Sequence, residues 1–169
     1  MLVNEGIEWV EQWPPPAGMA VCQVYGIVFD SDSGTVVVQD DKGRHNLPGG
    51  TPEEEDADLV ATLRRECHEE SQLVLADWEP VGYQVVTESG RAPYAQVRYA
   101  ALLERAGPIA PDACTGRAYG RVLASPDDAA DLLGWGAHGL AQLQAAARVA
   151  AEKWGMNIAA AGTEQRELV

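Results

Sequence analysis

Leu47-Pro48-Gly49-Gly50 and Arg65-Glu66-Cys67-His68-Glu69-Glu70 decide the reading of this chain. A tight glycine loop is followed by a helix carrying three carboxylates. Glu66, Glu69 and Glu70 stand at i, i+3 and i+4, so a helix gathers them on one side. Like charges held that close repel one another unless a cation lies among them or water screens them. A hard divalent ion with oxygen ligands, usually accompanied by a phosphate, suits such a cluster.

The segment from about Asp56 to Ser71 is predicted helical. Leu59, Val60, Leu63 and Cys67 form its apolar stripe, with Arg64 and His68 on the far side. At about 100° per residue, Glu66 and Glu70 fall beside that stripe rather than opposite it. Carboxylates placed only for solvation would sit on the outer face, so these two are expected at the rim of the core. Glu53, Glu54, Glu55 and Asp56 precede the helix, where its dipole favours negative charge.

Working outward, Met19 to Phe29 reads as a buried strand rich in β-branched and aromatic residues. Asp30 to Gly34 is a turn cluster, Thr35 to Gln39 a second strand, and the run to Leu47 a short third one. Strands are expected over about Leu73–Asp77, Glu79–Glu88 and Ala92–Glu104. The last alternates: Tyr94, Gln96, Arg98 and Ala100 face one way, and Ala95, Val97, Tyr99 and Ala101 the other. Arg117 to Leu123 suggests a final strand. Ser125-Pro126 starts a short helix to Leu133, Gly134 to Gly139 interrupts it, and an Ala-rich helix follows from about Leu140 to Lys153. Residues 1–18 form a Trp/Pro-rich arm: Trp9 and Trp13 lead into Pro14-Pro15-Pro16, expected as polyproline II lying over the domain body or over a partner subunit. Residues 156–169 form a C-terminal tail, small and polar from Ala159 and expected to fray.

The length of 169 residues and 46% hydrophobic content fit one domain with a normal core. A net charge of −14 argues against a nucleic-acid polymer or an anionic membrane as partner. A small anionic ligand remains compatible, because a metal ion inverts the local field. Cys22, Cys67 and Cys114 are odd in number and lack CxxC spacing, which suggests reduced thiols and a cytoplasmic protein rather than zinc or disulfides. No apolar run has the length of a membrane span, and the N-terminus lacks a basic signal-like region.

These residues resemble the Nudix hydrolases, whose signature is G-x5-E-x7-R-E-U-x-E-E-x-G-U with U bulky and apolar. Arg65 to Glu70 match R-E-U-x-E-E with Cys67 as a small U, Leu73 matches the final U, and Leu47 to Gly50 match the usual lead-in. The likeness spans residues 19–155 and implies an α/β fold, a Nudix-type α/β/α sandwich with a mixed sheet. Two departures stand out. The spacing from Gly50 to Arg65 is one residue longer than the pattern, so Asp56 or Glu55 must supply the early glutamate or it is absent. Gln72 replaces the late glycine, at a position where a left-handed conformation is usual and glutamine adopts it only at a cost.

What the resemblance implies is hydrolysis of a nucleoside diphosphate linked to some group X, with Mg2+ or Mn2+ neutralising the pyrophosphate and orienting water. By that analogy the metal ligands are Glu66, Glu69, Glu70 and the carbonyl of Gly49, and the catalytic residues are Glu66, Glu69 and Arg65, the last orienting Glu66. Glu88, Glu104 and Asp112 are the acids available to complete the site from a distance. For the substrate, Gln96 and Arg98 share a strand face that either lines a cleft or is merely exposed. Arg44, Arg117 and Arg121 are further phosphate candidates. Tyr94 or Trp135 could stack on a base, His45 reads as structural and His68 as solvated. One rival is a catalytically weak nucleotide sensor or interaction module. Another is isomerisation of an isoprenyl diphosphate, for which Cys22 and Cys67 are poorly placed. The arm is the feature suited to bridging a homodimer.

Overall fold

The computed structural model describes residues 5–158 and 164–169. Among these, nine strands form one mixed sheet, the longer ones built from the apolar, β-branched stretches: β1 Gly6–Val10, β2 Ala20–Phe29, β3 Val36–Asp41, β4 Arg44–Asn46, β5 Gly49–Gly50, β6 Leu73–Thr87, β7 Tyr94–Ala106, β8 Gly120–Ala124 and β9 Arg166–Glu167. The sheet order is β1-β6-β7-β2-β3-β8-β9, with β4 on β3 and β5 on β2. β2 and β7 run parallel from Ala20↔Tyr94 to Phe29↔Leu102. β2 meets β3 only at Phe29↔Val36, and lower down its neighbour is β5, at Val24↔Gly50 and Tyr25↔Gly49. The sheet therefore parts along β2, and the glycine loop fills the gap.

Alternation along the central strands creates two cores. On one face Val24, Val28, Val97 and Ala101 meet Leu63 and Cys67 of α1 (Leu59–Ser71). On the other, Ile27, Phe29, Val36 and Val38 meet Ala129 and Leu133 of α2 (Pro126–Leu133) and Leu143 and Ala146 of α3 (Gly136–Trp154). The result is the expected α/β/α sandwich. α1 lies directly on β2: a Cβ at Gly26 would come within 3.0 Å of Leu63 and 3.2 Å of Cys67.

Several boundaries differ from those predicted. α1 starts at Leu59 rather than Asp56, because Asp58 caps it by accepting the Ala61 amide at 2.8 Å. β6 is one strand rather than two, with irregularities at Val74/Leu75, Leu75/Asp77 and Pro80/Gly82 that absorb the break. The arm is not simply polyproline. Gly6–Val10 pairs antiparallel with β6, the Trp13–Pro14 peptide is cis, and Trp13 packs edge-on against Tyr99. The arm thus lies over its own domain. The glycine interruption shrinks, since Gly134 caps α2 in a left-handed conformation and α3 begins at Gly136. Of the tail expected to fray, residues 159–163 lie outside the described residues, while Arg166–Glu167 pairs with β8. No helix among the described residues is long and apolar enough to cross a membrane.

Gln72 closes α1 in the left-handed conformation foreseen for that position, at φ 52°, ψ 35°. Its side chain offsets the cost. Nε2 donates to the carbonyls of Glu69 and Ala110, and Oε1 accepts the Ala110 amide at 3.1 Å. Gln72→Ala keeps the backbone cost but loses these bonds, so chemical denaturation should show a loss of about 1–2 kcal/mol. Gln72→Gly removes both and should stay within about 1 kcal/mol of the parent.

Candidate active site

The bracing of the acidic helix begins with Asp56. Arg65 grips it with two parallel bonds, Nε to Oδ1 at 3.0 Å and Nη2 to Oδ2 at 2.8 Å. Thr62 Oγ1 and the Glu53 amide donate to the same carboxylate. Of the candidates for the early glutamate, Asp56 therefore occupies the bracing position, and the extra residue is taken up before the helix. The pairing holds the Asp56 carboxyl far below the usual range and raises the already basic guanidinium further.

The same guanidinium reaches three other places. Nη1 donates to Glu66 Oε1 at 2.9 Å and to Glu69 Oε2 at 3.2 Å, and Nη2 donates to the Thr51 carbonyl at 3.0 Å. Arg65 thereby ties the end of the glycine loop to the helix and aims Glu66. Glu70 is held from another direction: Oε2 accepts from the Gln39 side chain at 2.7 Å and from the Gly49 amide at 3.2 Å.

Glu66 and Glu70 lie at the rim of the core, as their helical phase required. Burial pushes both carboxyls above their ordinary range, partly opposed by Arg65 at Glu66 and by Gln39 and the Gly49 amide at Glu70. Negative neighbours add to the rise, Glu69 and Glu53 at the first, Glu66 and Asp112 at the second. Asp112 is buried, and its Oδ1 accepts the Cys114 and Thr115 amides. The other distant acids are engaged elsewhere or solvated: Glu88 accepts from Tyr94, and Glu104 is exposed.

The glycine loop is shaped around this carboxylate set. A Cβ at Gly50 would overlap the Glu66 carboxylate, and one at Gly49 would overlap the Val24 carbonyl and Tyr25. No three acidic, histidine or cysteine side chains among the described residues are gathered into a finished metal cage. The donor set nonetheless fits a hard divalent cation. It consists of oxygens, it sits against a backbone bare of Cβ atoms, and its carboxylates are strained toward protonation by burial and mutual repulsion, which a cation relieves.

Beyond the carboxylates, Tyr25 faces a cavity of about 420 Å³ lined also by Gln23, Gln96, Arg98, Trp135 and His45. Gln96 and Arg98 thus share a cleft-lining face, and His45 joins them rather than serving only the frame. Trp135 does line the cavity, with Arg98 packed over its ring, while Tyr94 is covered by Arg91. Arg44 and Arg117 are elsewhere. Both are exposed surface charges on the Asp41 carboxylate, because the β3–β4 turn and the loop before β8 hold them there. Arg121 is buried as a structural cap, donating to the Ser71, Gly107 and Leu168 carbonyls. His68 is exposed and Cys67 is fully buried, as the stripe implied.

Asp56→Asn should loosen α1 and the loop together, costing about 1–3 kcal/mol near neutral pH. A carboxyl lowered on folding contributes stability that is present above its unfolded pKa and lost as pH falls toward the folded value. The gap in denaturant midpoint between parent and variant should therefore narrow as pH drops below about 4. A constant gap would show that the ion pair is not its source.

The family comparison agrees with this geometry. The model described as NUDIX domain matches residues 22–143. Among solved structures, the chain resembles the MutT studied from Aliivibrio salmonicida and Vibrio cholerae, with 16% identity, TM-score 0.53 and coverage of 74% of this chain and 94% of that one. It also resembles MutT from Bacillus halodurans, with 19% identity, TM-score 0.54 and coverage of 72% and 78%. A Bacillus subtilis pyrophosphohydrolase shares 17% identity at TM-score 0.50, over 60% of this chain and only 61% of that one. Such distant likenesses speak to the fold alone. No curated protein matched the sequence. With its family match, its sandwich and its braced acidic helix, the chain belongs to the Nudix hydrolase superfamily.

Proposed function

We propose that this protein is a Mg2+- or Mn2+-dependent pyrophosphohydrolase acting on a nucleoside diphosphate linked to a group X. The observation that carries this reading is the contact of Gly50 with the Glu66 carboxylate, beside a half-buried Glu70 that takes the Gly49 amide. Backbone and carboxylates meet where the sheet parts, and only a missing side chain allows it. Glu66, Glu69, Glu70 and the Gly49 carbonyl would hold the metal, with Asp112 the distant acid best placed to assist Glu70. The bound metal would supply charge neutralisation of the diphosphate and polarisation of water.

The chain's own residues do the rest. Arg65 occupies Glu66 Oε1, which leaves Oε2 to accept a proton from the attacking water. Glu69 shares Arg65 with Glu66 and keeps the guanidinium from drifting toward either. Gln39 fixes the rotamer of Glu70. Gln96 and Arg98 bind the substrate beyond the diphosphate. The chemistry belongs to residues 19–155, between an N-terminal arm (1–18), whose Gly6–Val10 segment pairs with β6, and a C-terminal segment (156–169).

Glu66→Gln and Glu70→Gln should each lower kcat by about 10²-fold or more with melting temperature retained, measured by phosphate and pyrophosphate release from nucleoside triphosphates, nucleotide sugars and dinucleotides. EDTA should abolish turnover and Mg2+ restore it. No turnover of any substrate in Mg2+ or Mn2+, with nucleotide bound equally well with and without metal, would favour a sensor instead.

Gly50→Ala pushes a methyl into the Glu66 carboxylate. It should raise the Mg2+ concentration needed for half-maximal rate at least tenfold. An unchanged metal requirement would break the link between the loop and the metal site.

A further inference from the structure

Arg98 is 1% exposed, yet none of its partners among the described residues is a carboxylate. Nε donates to Gln142 Oε1 at 2.8 Å, and Nη1 donates to the Gln96 and Val97 carbonyls. Its flat faces lie over Tyr25 and Trp135, 4.6 and 5.5 Å from the ring centroids. Burying a charge without a counter-charge is costly, and burial pushes the guanidinium down to about 10. Among the described residues no Asp or Glu lines the cavity it faces, although the chain carries a net charge of −14.

The amides around it are ordered by that charge. Gln142 Nε2 donates to Gln84 Oε1 at 3.0 Å, Gln84 Nε2 to Gln96 Oε1 at 3.1 Å, and Gln96 Nε2 to Gln23 Oε1 at 2.7 Å. Tyr25 Oη donates to the same Gln23 oxygen at 2.9 Å. Because Arg98 can only donate, Gln142 must present its oxygen to it, and each following amide must then point the same way. The side-chain oxygens of Gln142, Gln84, Gln96 and Gln23 are all consumed. The Asn46 oxygen is also taken, by the Leu47 amide. What this relay leaves toward the cavity is N–H: the free edge of Arg98, Gln23 Nε2 and the second amide hydrogens, beside the imidazoles of His45 and His138, which also line it.

We propose that this cavity is an anion subsite, taking a carboxylate or phosphate carried by the X portion of the substrate. A group of acceptors only, bearing negative charge, satisfies the free donors and gives Arg98 the counter-charge it lacks. A neutral base edge leaves that charge uncompensated, and amino groups on it meet donors with donors. The inference rests on the pyrophosphohydrolase reading only for the position of the diphosphate, which Tyr25 joins to the cavity: it pairs with Gly49 of the glycine loop, and its ring lies under Arg98.

The test uses two matched pairs on the full-length protein with Mg2+: UDP-glucuronate against UDP-glucose for a carboxylate, and 2′-phospho-ADP-ribose against ADP-ribose for a phosphate. Affinity is read by titration calorimetry, or as KM where turnover occurs. At least one anionic member should bind tenfold or more tightly than its neutral partner, and the pair showing it identifies the anion. Gln142→Glu, which is fully buried and supplies Arg98 with an internal carboxylate, should shrink that preference to within about twofold. Equal or undetectable binding of both members in both pairs overturns the subsite, as does a preference that survives in a folded Gln142→Glu variant. Preferential binding without hydrolysis would instead retain the subsite and discard the hydrolase reading.

Discussion

Arg65 is the interaction on which the site depends. One guanidinium holds Asp56 with two bonds, reaches Glu66 and Glu69 on its own helix, and caps the Thr51 carbonyl at the end of the glycine loop. The three acids and the loop would otherwise have reasons to separate. Carboxylates repel, and a glycine loop ordered against a helix loses more backbone freedom than any other sequence would. A planar fork of five donors can serve all of them at once in a way that a lysine ammonium cannot. The position of Asp56 matters for the same reason. It consumes two of the strongest donors, leaving Glu66 only one bond and one free oxygen.

The sheet topology turns this local brace into a site. Because β2 pairs with β3 at only one residue pair and then with Gly49–Gly50, the glycine loop is a structural substitute for a strand neighbour. It satisfies β2 backbone groups that would otherwise be orphaned. That double duty explains why a side chain at Gly49 would collide with β2 and one at Gly50 would displace the Glu66 carboxylate. One flank of Gly50 is the Glu66 carboxylate, and Gly49 is pressed against the backbone of β2. Tyr25, on the same strand, then looks away from α1 into the opposite cavity. Carboxylates and cavity stand on opposite faces of one strand, connected through the gap in the sheet.

Much of this was legible in the sequence. The 3.6-residue phase of α1 placed Glu66 and Glu70 beside Leu63 before any coordinates, and the alternation of β7 put Gln96 and Arg98 on one face. The left-handed turn at Gln72 followed from a pattern position rather than a propensity. What was hidden is long-range. Counting from Gly50 falls on Asp56 and counting back from Arg65 on Ala57, so spacing left Asp56 or Glu55 open, and only the fold brings Asp56 under Arg65. Arg44 looked like a phosphate ligand from its place before the loop, yet the turn of β3 into β4 sends it to Asp41. Gln39, Gln84 and Gln142 carry no motif. Their signal was faint: polar residues within strands and a helix otherwise apolar, which must find partners if buried.

Those glutamines illustrate how a polar core specifies a binding surface. An amide can turn either way, so a ring of amides alone has no preferred polarity. A guanidinium at one end removes that freedom, since it accepts nothing, and the orientation propagates through every link. Tyr25 donates into the far end of the chain, consistent with the same direction. The amide part of the cavity wall is then chemically one-sided: its oxygens are engaged within the relay and its remaining hydrogens are left to the opening. A buried arginine without an acid is thermodynamically expensive in the empty protein. A ligand that brings the missing charge recovers that expense on binding, so discrimination is strongest where the free protein is least satisfied.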